Sequence, residues 1–213
     1  IYSIVAFEDD LYLCGEFEID GTSHGQVYRL IGGNPLGTWE VVFDTTDFAP
    51  LSLLVHQGDL YMGGGLATNV DVLRRYDPDT GDWDPMGVIG SSGFIFDLAS
   101  WGDRIVMVGS YSSLSDVPSA NVSYWEDGDV YPMGRGTNSR ANTAIAFEGD
   151  LYTVGSFSEA SGVESWGVAR WGGETTATGP PIVQVNVPDA AEEGVLVPVT
   201  CNVTSYQSVQ EVT

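Results

Sequence analysis

Asp77, Asp79, Asp82 and Asp84 fall within one short stretch, DPDTGDWD, with Gly81 among them. Alternating carboxylates around a glycine turn are the oxygen donors that a hard cation such as calcium takes. The stretch is not an EF-hand loop, because Met86-Gly87-Val88 follow where the closing bidentate Glu would stand. Calcium held by Asp77, Asp79 and Asp82 is one expectation, and an ordinary turn between two strands is the other. His24 and His56 are the only histidines, and they fall in different parts of the chain. Copper or zinc needs two or three ligands of that softness held together, so no such centre is expected. A hydrolase needs a base set against a nucleophile, or two carboxylates at a fixed separation. Thirty acidic residues make carboxylate proximity cheap, and no HExxH or P-loop occurs. Among the aromatics, Trp166 in the loop SGVESWG and Tyr111 are the candidates for a stacking surface that binds sugar.

The elements that would position these side chains repeat. DLYLCGEF, DLYMGGGL, RIVMVGSY and DLYTVGSF share Gly15, Gly64, Gly109 and Gly155, at spacings of 49, 45 and 46 residues. A period of this size in β-rich units is the signature of a propeller or related array. Asp, Gly and acidic pairs precede each motif, as a tight hairpin turn requires. The motif strand is apolar at nearly every position, the pattern of a sheet buried on both faces. Four-stranded units are therefore expected at about 4–49, 50–94, 95–140 and 141–173. Thr38–Val42, Asp82–Met86 and Asp129–Met133 supply the fourth strands of the first three, and the last unit has no clear one. Trp125 and Trp171 stand at matching places after their glycines, which marks them as packing residues. The loops after the motif strands vary most, and binding lives in such loops.

A Gly, Thr and Pro stretch at 174–181 reads as a linker. Beyond it, Val183, Val185 and Val187, then Val195, Val197, Val199 and Cys201, alternate with polar residues. Period two argues half-buried antiparallel strands. Residues 182–213 are thus expected to begin an immunoglobulin-like or fibronectin-type module. Cys14 and Cys201 form no cysteine framework. Ile1 rather than Met opens the sequence, and the chain is expected to be part of a longer precursor.

Thirty acidic residues face seven arginines and no lysine, a formal net charge of −23. Such a field repels nucleic acid and anionic membranes, and no apolar run is long enough to span a bilayer.

YDPDTGDWDPMG, with Gly63, Gly64 and Gly65 before it and Trp83 seven residues after Tyr76, resembles a kelch repeat. Met133–Gly173 is similar to the units of secreted propellers of the galactose oxidase central-domain type. The resemblance covers 4–173 and implies an all-β propeller outside the cell or on its surface. It implies binding more than catalysis, and no position here matches the copper ligands of the oxidase. The expectation is a non-catalytic, extracellular adhesion or scaffold protein holding a protein or glycan partner at the cell surface, with self-association into an assembly. The alternatives are a secreted polysaccharide-active hydrolase or lyase using loop carboxylates, and a calcium-dependent adhesin. No cofactor other than calcium is expected.

Overall fold

A computed structural model describes residues 1–31, 37–66, 70–90, 93–172, 182–186, 200–204 and 209–211. The described chain is all-β and builds four four-stranded antiparallel sheets, with three two-stranded ribbons beside them. The first sheet holds β1 (Ser3–Phe7), β2 (Asp10–Ile19), β3 (Thr22–Leu30) and β4 (Trp39–Thr45). The second holds β5 (Phe48–His56), β6 (Asp59–Leu66), β7 (Leu73–Tyr76) and β8 (Trp83–Pro85). In the third, β9 (Gly93–Trp101) and β10 (Arg104–Tyr111) precede a ribbon of β11 (Ser113–Leu114) and β12 (Val117–Pro118), and β13 (Val122–Glu126) and β14 (Asp129–Pro132) complete the sheet. In the fourth, β15 (Ala141–Phe147) and β16 (Asp150–Gly155) precede the ribbon β17 (Glu159–Ala160) and β18 (Val163–Glu164), followed by β19 (Val168–Trp171). Further on, β20 (Ile182–Asn186) pairs with β21 (Thr200–Thr204), and β22 (Val209–Glu211) pairs with β19 as the fourth strand of the fourth sheet. The linker at 174–181 lies outside the described residues.

Two-residue turns join the first and second strands of each sheet. Phe7 pairs with Asp10, His56 with Asp59, Trp101 with Arg104 and Phe147 with Asp150. Gln57 and Gly58, and likewise Glu148 and Gly149, both take positive φ, the conformation that matches the right-handed twist of a hairpin.

The apolar second strands are buried as their composition demands: Ile105 through Gly109 are all buried. Three cores lie between consecutive sheets. Phe7, Tyr12, Cys14 and Val27 pack against Leu53, Leu60, Met62 and Trp83. Tyr61, Val72 and Leu73 pack against Ile95, Leu98, Ile105 and Met107. Trp101, Val106, Val108 and Tyr124 pack against Ala144, Leu151, Ala169 and Trp171. Four sheets with three cores form an open, propeller-like array, and among the described residues no core joins the fourth sheet to the first. Cys14, in the first core, is a free thiol that burial pushes up to about 12.

The shared glycines have a specific duty. The second strand's register against the first shifts at or opposite the glycine in the second, third and fourth sheets. There a Cβ on Gly64 would run into the Ala49 carbonyl oxygen, one on Gly109 into that of Phe94, and one on Gly155 into that of Arg140. The close backbone approach expected at these positions is thus to the neighbouring strand of the same sheet, at a bulge.

A second repeated device links the sheets. Twelve residues before each shared glycine stands a short side chain with an oxygen: Ser3, Ser52, Asp97 and Thr143. Ser3 Oγ accepts from the Leu53 N–H at 3.2 Å, Ser52 Oγ from the Leu98 N–H at 3.1 Å, and Asp97 Oδ2 from the Ala144 N–H at 3.1 Å. Each oxygen caps a backbone N–H on the first strand of the next sheet, and buried backbone N–H groups need such acceptors. The residue eight before the glycine also reaches forward: Phe7 meets Tyr76 edge-on, His56 Nδ1 bonds Ser100 Oγ at 2.8 Å, and Trp101 Nε1 donates to the Gly149 carbonyl at 2.8 Å.

Candidate functional site

A pocket opens where the first strands of three sheets begin. It has a volume of about 460 Å³ and is lined by Tyr2, Glu16, Ala49, Leu51, Phe94 and Phe96. That volume falls in the range of small-molecule sites, about 300–1,000 Å³. Phe94 and Phe96, two apart on β9 and therefore on one face, lie parallel with centroids 6.1 Å apart and planes 7° apart. They make a flat apolar wall. Leu51 on β5 and Ala49 extend it. Glu16, next to the shared Gly15 on β2, brings the carboxylate. Tyr2 donates to Glu16 Oε2 at 2.9 Å and Ser23 to Oε1 at 3.3 Å, so both carboxylate oxygens carry a hydroxyl donor. The bond to Glu16, with some burial and the charge of Glu16, raises the Tyr2 hydroxyl above its ordinary value. Tyr2 therefore stays a donor at neutral pH. The arrangement can stack an apolar or sugar-like face and hold a carboxylate against it.

A second polar centre is Asp97. Oδ1 accepts from Ser52 Oγ at 3.1 Å and from the Leu98 N–H at 2.9 Å. Oδ2 accepts from Thr143 Oγ1 at 2.6 Å as well as from the Ala144 N–H. This carboxylate is occupied in joining three sheets.

The residues singled out in the sequence are not brought together. Tyr111 ends β10 in the core, and its hydroxyl bonds the Met107 carbonyl at 2.6 Å and Ser123 Oγ at 2.9 Å. It offers no surface to a ligand, which corrects its place among loop aromatics. Its apolar neighbours in the repeat explain why: the position closes the core between the second and third sheets. Trp166 is 82% exposed, between β18 and β19. Asp77, Asp79 and Asp82 form the β7–β8 turn, where Asp77 Oδ1 caps the Asp79 N–H at 2.9 Å and the Asp77 N–H donates to the Asp82 carbonyl at 2.9 Å. Among the described residues no group of three or more His, Cys, Asp or Glu side chains is arranged to hold a metal. His24 lies against Asp44, Nδ1 to Oδ1 2.7 Å, and that bond lowers the Asp44 carboxyl.

None of the pocket residues was singled out from the sequence, yet a signal existed. Tyr2, Leu51 and Phe96 each stand thirteen residues before a shared glycine, and Ala49 and Phe94 fifteen before. Aligned positions that differ in type between repeats mark where the array departs from mere packing.

Fold and pocket together define an all-β, propeller-like protein with an aromatic-walled, carboxylate-bearing pocket. Similar solved structures include a puromycin hydrolase mutant complexed with PGG, with 11% identity over 85% of this chain and 30% of that one at a TM-score of 0.48. Another is an exo-1,5-alpha-L-arabinanase from a bovine ruminal metagenomic library, with 13% identity over 79% of this chain and 72% of that one at a TM-score of 0.40. The chain thus spans less than a third of the puromycin hydrolase. No protein-family model matches, so the kelch resemblance finds no family behind it. No curated protein matches by sequence either. Both structures are of hydrolases, whereas the sequence led to the expectation of a non-catalytic adhesion or scaffold protein. Likeness of this degree transfers no residue and no reaction. No helix among the described residues is long and apolar enough to cross a membrane.

Proposed function

We propose that the pocket at the start of the first strands takes a neutral saccharide unit and that the protein hydrolyses a glycosidic bond there. One observation carries the reading: a carboxylate with a hydroxyl donor on each oxygen sits at the rim of a pocket walled by two parallel phenyl rings. Aromatic faces suit the C–H faces of a sugar ring, and few polar groups are needed to orient it. The substrate is neutral because a surface of formal charge −23 repels anionic glycans. Glu16 takes the proton of the attacking water. The water oxygen bonds the anomeric carbon, the glycosidic C–O bond breaks, and the leaving oxygen takes a proton from solvent at the open rim. A positioned general base contributes roughly 10²–10⁴-fold. A closed propeller outside the cell is the architecture that best suits this role, and the acidic surface suits a salty or cation-rich medium there.

The test is release of reducing ends from a panel of neutral polysaccharides, read beside calorimetric binding of their oligosaccharides. Glu16→Gln is expected to keep binding and lose at least a hundredfold in turnover, in line with the contribution of a general base. Phe94→Ala with Phe96→Ala is expected to lose binding. A folded wild-type protein that binds and cleaves no member of the panel refutes the reading, and so does undiminished cleavage by Glu16→Gln.

A further inference from the structure

Among the described residues, the four-sheet array has two outer faces, one on the first sheet and one on the fourth. Between consecutive sheets, the residue eleven before the shared glycine faces backward: Leu53, Leu98 and Ala144 are all buried against the preceding sheet. A Cβ on Gly63, just before the second shared glycine, would meet the Leu98 side chain at 2.9 Å, and Ala144 shares a core with Val108, just before the third. The first sheet's residue at that backward position is Ile4, 62% exposed. The forward positions are buried in the inner sheets, as Val108, Ala99 and Trp101 show, but in the fourth sheet they are Val154, Ile145 and Phe147, exposed by 44%, 65% and 58%. Thr143 stands where Ser3, Ser52 and Asp97 cap the next sheet's N–H, and Ile4 pairs with Leu13 in the register in which Leu53 pairs with Met62 and Leu98 with Met107.

We propose that the forward face of the fourth sheet docks on the backward face of the first sheet of a second copy of this chain. What argues for that occupant is continuity with the three sheet-to-sheet interfaces already present: a second copy supplies the backward knob, Ile4, and the uncapped position, in the register that the array repeats. Ile4 packs on Val154, Thr143 Oγ1 accepts from the Ile4 N–H, and Ile145 and Phe147 are covered. The contact is heterologous, so it propagates unless the rotation closes. Two copies bring eight sheets, within the four to eight blades of closed propellers, and closure removes both apolar faces at once.

The experiment is sedimentation and native mass spectrometry of the 213-residue chain over a wide concentration series, with Ile4→Asp and Phe147→Asp. Both substitutions fall on exposed side chains, and an unchanged circular dichroism melt of the dissociated chain checks that each folds. The wild type is expected at twice the chain mass, and each variant alone at the chain mass. Mixed in equal amounts, the variants are expected to form a heterodimer, because Ile4→Asp keeps an intact forward face and Phe147→Asp an intact backward face. A wild type that stays at the chain mass throughout overturns the proposal. So does Ile4→Asp pairing with itself, which means like faces meet, and so does a mixture that does not associate.

Discussion

Asp97 is the side chain on which the array's continuity depends most, and Asp97→Ala measures that dependence. Its carboxylate accepts four hydrogen bonds, from Ser52 on β5, from Leu98 on β9, and from Thr143 and the Ala144 N–H on β15. Truncation does not strand all four donors. The Leu98 N–H keeps Ser52 Oγ as an acceptor at 3.1 Å, and the two hydroxyls can rotate. The Ala144 N–H loses its cap outright, at about 1–3 kcal/mol for a stranded donor, and the hydroxyl bonds add about 0.5–1.5 kcal/mol each. The sum is about 3 kcal/mol, which for a chain of this size lowers Tm by roughly 6–12 °C. Asp97→Asn keeps an oxygen for Thr143 and Ala144 and turns an amide toward Ser52, so its loss should be less than half as large. The assay is thermal unfolding by circular dichroism, with hydrogen exchange at the Ala144 amide as the local reporter. Exchange there should speed up in Asp97→Ala more than at Leu53, whose cap is Ser3. A Tm within about 1 °C of wild type, or an Ala144 amide protected as before, refutes the idea that these oxygens hold the sheets together.

Gly109→Ala is expected to cost more than about 3 kcal/mol, because its Cβ would occupy the space of the Phe94 carbonyl oxygen on the paired strand; Gly15→Ala should cost less, since its Cβ meets Ile1 Cα at 2.9 Å, Ile1 N at 3.1 Å and Phe17 Cε2 at 3.5 Å and no carbonyl oxygen, and denaturant unfolding of the pair tests the contrast. Asp71 gives a pH signature. Burial raises its carboxyl above the ordinary value, while its bonds from the Leu73 and Gly87 N–H groups pull the other way. The folded state therefore binds the proton more tightly than the unfolded state, and stability falls as pH rises from the ordinary carboxylate value through the raised one. The stability of wild type relative to Asp71→Asn is expected to rise as pH is lowered through that window, and parallel stability–pH curves for the two proteins would refute it.

The period of the glycines made the four sheets legible before any coordinates, because in three of them the shared glycine must clear a carbonyl oxygen and admits no other residue. The second strands were legible for a related reason: a strand covered on both sides has no polar face to show. The caps at Ser3, Ser52 and Asp97 were not legible, since they share only a short side chain with an oxygen and more than one residue type satisfies that need. β22 escaped notice because three residues, Val209–Glu211, carry too short a pattern to read as a strand. Tyr111 was misplaced because an aromatic ring serves a stacking surface and a core equally well, whereas its hydroxyl finds Met107 and Ser123 inside.

The pocket shows where the repeat itself carries information. One residue after the shared glycine stand Glu16, Gly65, Ser110 and Ser156. At Gly65 a Cβ would press on the Gly93 carbonyl oxygen of the next sheet, so a side chain is barred there. In the first sheet the same position is open enough for a glutamate that reaches Tyr2 and Ser23. Likewise, thirteen residues before the glycine, Tyr2, Leu51 and Phe96 turn to the pocket while the fourth sheet has Asn142. A symmetric array of four such sheets would give every position the same surroundings and the same residue. Positions that packing leaves free are where the repeat can vary, and in this chain the departures at Tyr2, Glu16 and Phe96 line one pocket.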